Sequence, residues 1–302
     1  MVEHQLPKLR MRVRFPSSAL SDVRLRLTRR CGIALALGSH PRGQRKGISS
    51  GPGTHRQAGR YTMIIIVNLA THYAGYLESG YELPAPVVPV RGMPAYARAT
   101  AGLPIDLATT MVFVCTEDQL EKSNLSGDVR LRFPHVTTKV VVSPEHEIGI
   151  SGAIRAALEH IDENDSLIVH PASVLSRSAL AARISVMGEL GGLLSVMDTD
   201  VVGTGAWSAD SFVTVDRTGR IDAISHHWSE GATAPTGSLT VSGANGATAE
   251  AISLALELDP TTGLDVLVTA LIRRRVPLGV DRVTSSWDLS HASGLGAYLA
   301  HR

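Results

Sequence analysis

Cysteine is nearly missing from this chain. The two present, Cys31 and Cys115, have no metal-like spacing, so neither a disulfide framework nor a zinc site is expected to hold the fold. Long apolar runs are missing too: none approaches the roughly 20 residues that cross a bilayer, and no membrane partner is expected. Acidic residues are scarce at the front. Residues 1–62 hold 13 Lys and Arg against 2 Asp and Glu, whereas the remaining 240 hold 16 against 26. The net charge of +1 therefore conceals two portions of opposite sign. They do not read as one surface. Past Met63 there is also no internal repeat and no low-complexity tract, and the default compartment is the cytoplasm.

Three readings compete for the basic segment. It suits a nucleic-acid arm by charge. It suits a targeting peptide where Arg29 and Arg30 precede the short apolar run from Cys31 to Leu37, although a clear cleavage site is missing. Its third reading is a mistranslated upstream extension. With suitable codons Leu6-Pro7-Lys8 reads CTTCCCAAG, like a glycine tRNA anticodon loop, and Arg12 to Pro16 reads as a self-complementary T-arm. On that reading the start is expected at Met63. A disordered tail carries the same structural expectation. Residues 1–62 are discounted for function, and with them a nucleic-acid partner.

From Met63 onward, strand and helix alternate. Ile64 to Val67 is a buried strand that empties into a long loop carrying Gly75, Gly80, Gly92 and four prolines, Pro84, Pro86, Pro89 and Pro94. Met93 to Ala101 suits a short helix. Thr110 to Cys115 is a second strand, and Thr116 with Gln119 reads as a capping box. Thr138 to Val142 is a third strand, and the spacing of Ile154, Ala157, Leu158 and Ile161 predicts an amphipathic helix over Ser151–Ile161. A fourth strand spans Leu167 to Val169. Four such alternations predict an α/β fold: a Rossmann-like, mostly parallel sheet sandwiched by helices over residues 63–302. Phe212 to Val215 and Ile221 to Ser225, around Asp216-Arg217-Thr218-Gly219, insert a β-hairpin. Helices are expected at Ala247–Glu257 and Leu264–Arg274.

The frame Gly80-Tyr81, Leu83-Pro84, Pro86, Pro89-Val90, Gly92 and Pro94 resembles the opening signature of the sugar-phosphate nucleotidyltransferases. The hairpin and the closing Trp287-Asp288-Leu289 resemble later pieces of the same family, in the same order. The resemblance implies attack by a sugar-phosphate oxygen on the α-phosphate of a nucleoside triphosphate, with release of pyrophosphate. It also implies a cleft for nucleotide and substrate formed by Leu69, Ala70, Thr71, His72, Tyr73, Ala85, His170 and Ala172. The chemistry is less well kept than the frame. The family's loop glycines fall on Thr71 and Tyr73, its loop arginine on Gly75, and its two lysines on Ala85 and Met93. Its metal-binding aspartate falls on Ala172, and its Glu-Lys pair on His226-His227. Asp288 stands where a second metal carboxylate is expected.

Charge leads to the same conclusion without any alignment to the family. From Asn68 to Met93 the loop has Glu78 and Glu82 against one cation, Arg91, and His72. Phosphoryl transfer depends on charge neutralisation, and losing one such group costs on the order of 10³-fold. Restoring Lys at 85 and Asp at 172 is expected to raise triphosphate affinity. Three aspartates remain as metal candidates, with Mg²⁺ or Mn²⁺ implied only for an active enzyme: Asp288, then Asp198 and Asp200, whose Asp-x-Asp follows an apolar strand. His170 reads either as a phosphate contact or as a satisfied buried histidine. The expected function is a degenerate, non-catalytic nucleotide- or sugar-nucleotide-binding protein, or a regulatory one, in polysaccharide or sugar-nucleotide metabolism. A protein partner is compatible with it. The alternative is an active nucleotidyl- or glycosyltransferase with rearranged metal ligands.

Overall fold

The computed structural model describes residues 62–300, apart from 72, 74, 75, 77, 145–147 and 199–210. The readings of the basic segment over residues 1–61 lie outside the described residues, as do His72, Gly75 and Asp200.

Strand β1 (Met63–Asn68) is buried along its whole length. Short strands β2 (Pro89–Val90) and β3 (Met93–Pro94) form a hairpin in the loop that follows. The sheet continues with β4 (Thr110–Cys115), β5 (Thr137–Val142) and β6 (Ser166–Pro171). β1 pairs in parallel with β4 on one side and β6 on the other, and β4 pairs in parallel with β5. The unbroken apolar run of β1 follows from burial on both faces. Ile64 and Ile66 enter one core, and Met63, Ile65 and Val67 enter the other. Each fully buried isoleucine contributes roughly 1.5–3 kcal/mol relative to exposure.

Helices α1 (Ala95–Thr100), α2 (Glu117–Glu121) and α3 (Leu125–Arg132) follow β3 and β4. Tyr96 of α1 and Leu125 and Val129 of α3 close the second of those cores. The first is closed by α4 (Ile150–Ala156), where the expected helix over Ser151–Ile161 gives way to a 3₁₀ turn at Leu158–His160. Such tightening is common at a helix end, and here the chain must turn through Asp162–Asp165 into β6.

After β6 come β7 (Val174–Arg177), α5 (Leu180–Ser185) and β8 (Gly192–Asp198). The hairpin of β9 (Phe212–Val215) and β10 (Ile221–Ser225) lies where the turn residues place it, with Asp216 accepting from the Thr218 and Arg220 amides. Then follow β11 (Thr233–Val241), α6 (Ala247–Glu257), α7 (Leu264–Arg273), β12 (Leu278–Arg282), β13 (Ser285–Asp288) and α8 (Ala292–Ala300). The main sheet runs β12-β8-β11-β6-β1-β4-β5, with β11 antiparallel to both its neighbours and β9 joined to β11 at Thr233. This is an α/β fold with a mostly parallel central sheet flanked by helices. A separate two-stranded sheet pairs β7 with β13, and α1, α8 and the loop after β1 pack on it as a third apolar cluster.

Candidate functional site

The C-terminal edge of a parallel sheet is where α/β folds present their ligand crevice. Here that edge is built from the end of β1, the end of β6 and the end of β13. Asn68, buried at the last position of β1, fixes the exit of the loop. Its Oδ1 accepts from the Ala70 amide at 3.0 Å, and its Nδ2 donates to the Ile148 carbonyl at 3.0 Å. Ile148 returns its own amide to the Ala70 carbonyl at 2.8 Å. Gln119, which completes the capping box of α2, also donates its Nε2 to the Leu69 carbonyl at 2.9 Å. Leu69 and Ala70 are themselves fully buried, so their side chains belong to the cores and only their backbone shapes the cleft.

Beyond them the loop is aromatic rather than cationic. Tyr76 meets Tyr73 edge-on at 6.2 Å and Tyr81 at 5.2 Å, and its hydroxyl donates to the Leu289 carbonyl at 2.8 Å. That bond ties the loop to the chain just past β13. The hydroxyls of Thr71 and Tyr73 are buried and have no hydrogen-bond partner of good geometry. Burial holds the Tyr73 phenol well above its ordinary range, and Tyr76 and the Asp288 carboxylate push it the same way. These two orphaned hydroxyls stand where the resemblance places glycines. Ala85, at the position of a family lysine, is 5% exposed and packs among Tyr76, Val88 and Leu289.

At the end of β6, Pro171 lies opposite Asn68, and the Ala172 amide donates to the Asn68 carbonyl at 2.8 Å. The loop from Leu69 and the segment 170–172 therefore do meet. Ala172 is 0% exposed and sits in the core with Leu69. His170 belongs to the strand, which runs two residues further than Leu167–Val169. Its Nδ1 lies 2.6 Å from Ser238 Oγ and its Nε2 3.0 Å from the Val174 carbonyl. Burial pushes its pKa down to about 4, so the ring is neutral at pH 7. Of the two readings, the satisfied buried histidine is the one the geometry matches, and neither ring nitrogen is left over for a phosphate.

β13 brings Asp288 back to this edge. Asp288 lies opposite Val174, and the next residue donates its amide to the Ser173 carbonyl at 2.6 Å. The positions of the two family carboxylates are thus neighbours, with an aspartate at one and a buried alanine at the other. Asp288 accepts from the Ser290 amide and hydroxyl, each at 2.8 Å. Asp198 is elsewhere, exposed at the end of β8 and ion-paired with Arg282. His226 and His227 are exposed, and His226 lies 3.7 Å from Asp265. Arg91, the loop's cation, is at the β2–β3 turn and donates to the Tyr298 carbonyl at 3.1 Å.

A divalent cation requires oxygen donors that converge. Ala172 supplies none, Asp288 is engaged by Ser290, and Asp198 is engaged by Arg282. Among the described residues no group of three His, Cys, Asp or Glu could hold a metal. These residues do not fit a Mg²⁺ or Mn²⁺ site. Asn68, Gln119 and Tyr76, which position the loop, are not evident from the sequence as site residues. The available signal is a single polar residue ending a buried apolar strand.

No family model and no curated protein sequence matches the chain. Solved structures do. An inositol-1-phosphate CTP transferase from T. maritima aligns with a TM-score of 0.58 at 14% identity, over 80% of this chain and 94% of that one. A nucleoside-diphosphate-sugar pyrophosphorylase from Vibrio cholerae gives 0.60 at 11% identity, over 79% and 99%. The UDP-glucose pyrophosphorylase from Acinetobacter baumannii gives 0.58 at 15% identity, over 80% and 92%, and its UTP-bound form also matches. At these identities the likeness is one of fold.

Proposed function

We propose that residues 63–302 form a nucleotidyltransferase-fold protein that binds a nucleotide or sugar nucleotide without transferring it, in a binding or regulatory role in sugar-nucleotide or polysaccharide metabolism. The observation that carries this reading is the filling of the charge-bearing positions. Ala85 and Ala172 are buried among apolar side chains, and the loop above them packs three tyrosines where a triphosphate needs cations. Transfer of a phosphoryl group relies on positioning and charge stabilisation more than on covalent chemistry, so these losses fall on the catalytic step itself.

A second reading, a nucleotidyl- or glycosyltransferase with rearranged ligands, draws support from Asp288, which lies beside the end of β6. Calorimetry separates the two. UTP, which one fold neighbour binds, is titrated into the full chain with and without Mn²⁺. The non-catalytic reading expects binding whose affinity is unchanged by the metal. Affinity raised tenfold or more by Mn²⁺, and lost on Asp288→Asn, favours the second reading.

A further inference from the structure

The arginines of this protein are mostly matched with carboxylates. Arg132 pairs with Asp128, Arg274 with Glu250 and Glu257, and Arg282 with Asp198. One region departs from that habit. A cavity of about 800 Å³ opens between α1, the β7–β13 sheet and α8, and Arg91, Arg98 and Arg177 all line it. No carboxylate side chain is among its described lining residues. Neither Arg98 nor Arg177 takes part in an ion pair among the described residues.

The fold builds this convergence. Arg91 is held at φ +49 beside Gly92 at φ +80, and its guanidinium lies over the Tyr298 ring at 4.7 Å. Arg98 donates to the Val90 and Arg91 carbonyls at 3.1 and 2.7 Å, so it is locked to the same hairpin. Gly102 lets the end of α1 approach β7: a Cβ there would stand 2.2 Å from the Ser176 carbonyl oxygen. Ser176 and Ser286 face each other across the β7–β13 pair and both line the cavity. Ser286 is 9% exposed, and its hydroxyl has no hydrogen-bond partner. Trp287 and Tyr298, edge to face at 5.7 Å, form an apolar wall.

We propose that this cavity is a binding site for a small phosphate-bearing molecule, separate from the sheet-edge cleft and independent of whether that cleft is catalytic. Three guanidinium groups around one cavity repel each other, and a bound anion relieves that repulsion. Arginine's fixed fork of donors suits phosphate oxygens, Ser286 adds an uncommitted hydroxyl, and the volume is that of a small-molecule site. A phosphate group is common to nucleotides and sugar phosphates. The organic part, set against Trp287 and Tyr298, would distinguish them.

The test titrates the full chain with inorganic pyrophosphate, UDP and glucose 1-phosphate in separate calorimetric runs. At least one probe is expected to bind, more weakly as NaCl is raised. Arg177→Gln should weaken it roughly ten- to hundredfold, as expected for a lost charge-assisted contact. Arg177→Lys should recover part of that loss. Arg98→Gln also loosens the hairpin, so Arg177, exposed and without a structural bond of that kind, is the deciding position. Tighter binding of UDP than of pyrophosphate and glucose 1-phosphate identifies a nucleotide, and the reverse order for the sugar phosphate identifies that class. Tyr76→Phe in the sheet-edge cleft should leave this affinity unchanged. No binding of any probe at millimolar concentration, or equal affinity in wild type, Arg177→Gln and Arg177→Glu, overturns the proposal.

Discussion

Two residues at the end of β6 decide what this edge of the sheet can do. His170 is inside the protein with both nitrogens engaged, and burial holds its pKa near 4 rather than 6.5. Between those values the unfolded chain binds a proton that the folded chain does not. Stability from this group is therefore complete above about pH 6.5 and is lost as pH falls toward 4, by about 3 kcal/mol in all. Urea midpoints measured from pH 7 to pH 4.5 should fall, and His170→Gln should flatten that slope relative to wild type. An unchanged slope in the variant would place the histidine in solvent. Ala172 makes the opposite point about restoring lost chemistry. The expectation that Asp at 172 and Lys at 85 would simply raise triphosphate affinity requires side chains open to the cleft, and both alanines are buried. Ala172→Asp should cost roughly 2–5 kcal/mol of stability in chemical denaturation, because it desolvates an unpaired carboxylate. A neutral effect would show that the site opens.

Among the elements, β11 carries the sheet across from β6 to β8, and no local signal in the sequence announces it. Its residues include Pro235 and Gly237, which argue against a strand. The register shift between Pro235 and Leu239 is what accommodates them. Gly237 is at φ +88, and a Cβ there would lie 2.8 Å from the Pro171 ring. Gly219, at φ +79 in the β9–β10 turn, faces open space. Gly237→Ala should therefore destabilise by more than the roughly 1–2 kcal/mol expected of a left-handed alanine alone, and Gly219→Ala by no more than that. Equal urea midpoints for the two would remove the close contact from the account. β1, β4, β5, β6 and the β9–β10 hairpin are legible in the sequence because apolar runs and turn residues are local signals. β7 and β13 are not, because Val174–Arg177 and Ser285–Asp288 become strands only by pairing across a long stretch of chain. The same distance hides the meeting of Arg91 and Arg98 with Arg177, and the bond from Tyr76 to Leu289. The order of motif positions is readable, whereas the burial of Ala85 and Ala172 is not.

For the molecule as a whole, the sheet order, with one antiparallel strand between β6 and β8, matches the fold of sugar-phosphate pyrophosphorylases while the sequence stays near 11–15% identity to them. The β13 return also brings Asp288 beside the Ala172 position. The architecture that places substrates is thus present, while Ala85 and Ala172 bring neither of the charges the resemblance implies at their positions. A protein of this kind should hold a ligand longer than it changes one. The most direct measurement is pyrophosphate release by the purified full chain with Mg²⁺, UTP and glucose 1-phosphate, followed over a range of protein concentrations. The account predicts no release above the protein-free background at any concentration. Pyrophosphate produced in proportion to protein, and abolished by Asp288→Asn, would contradict it.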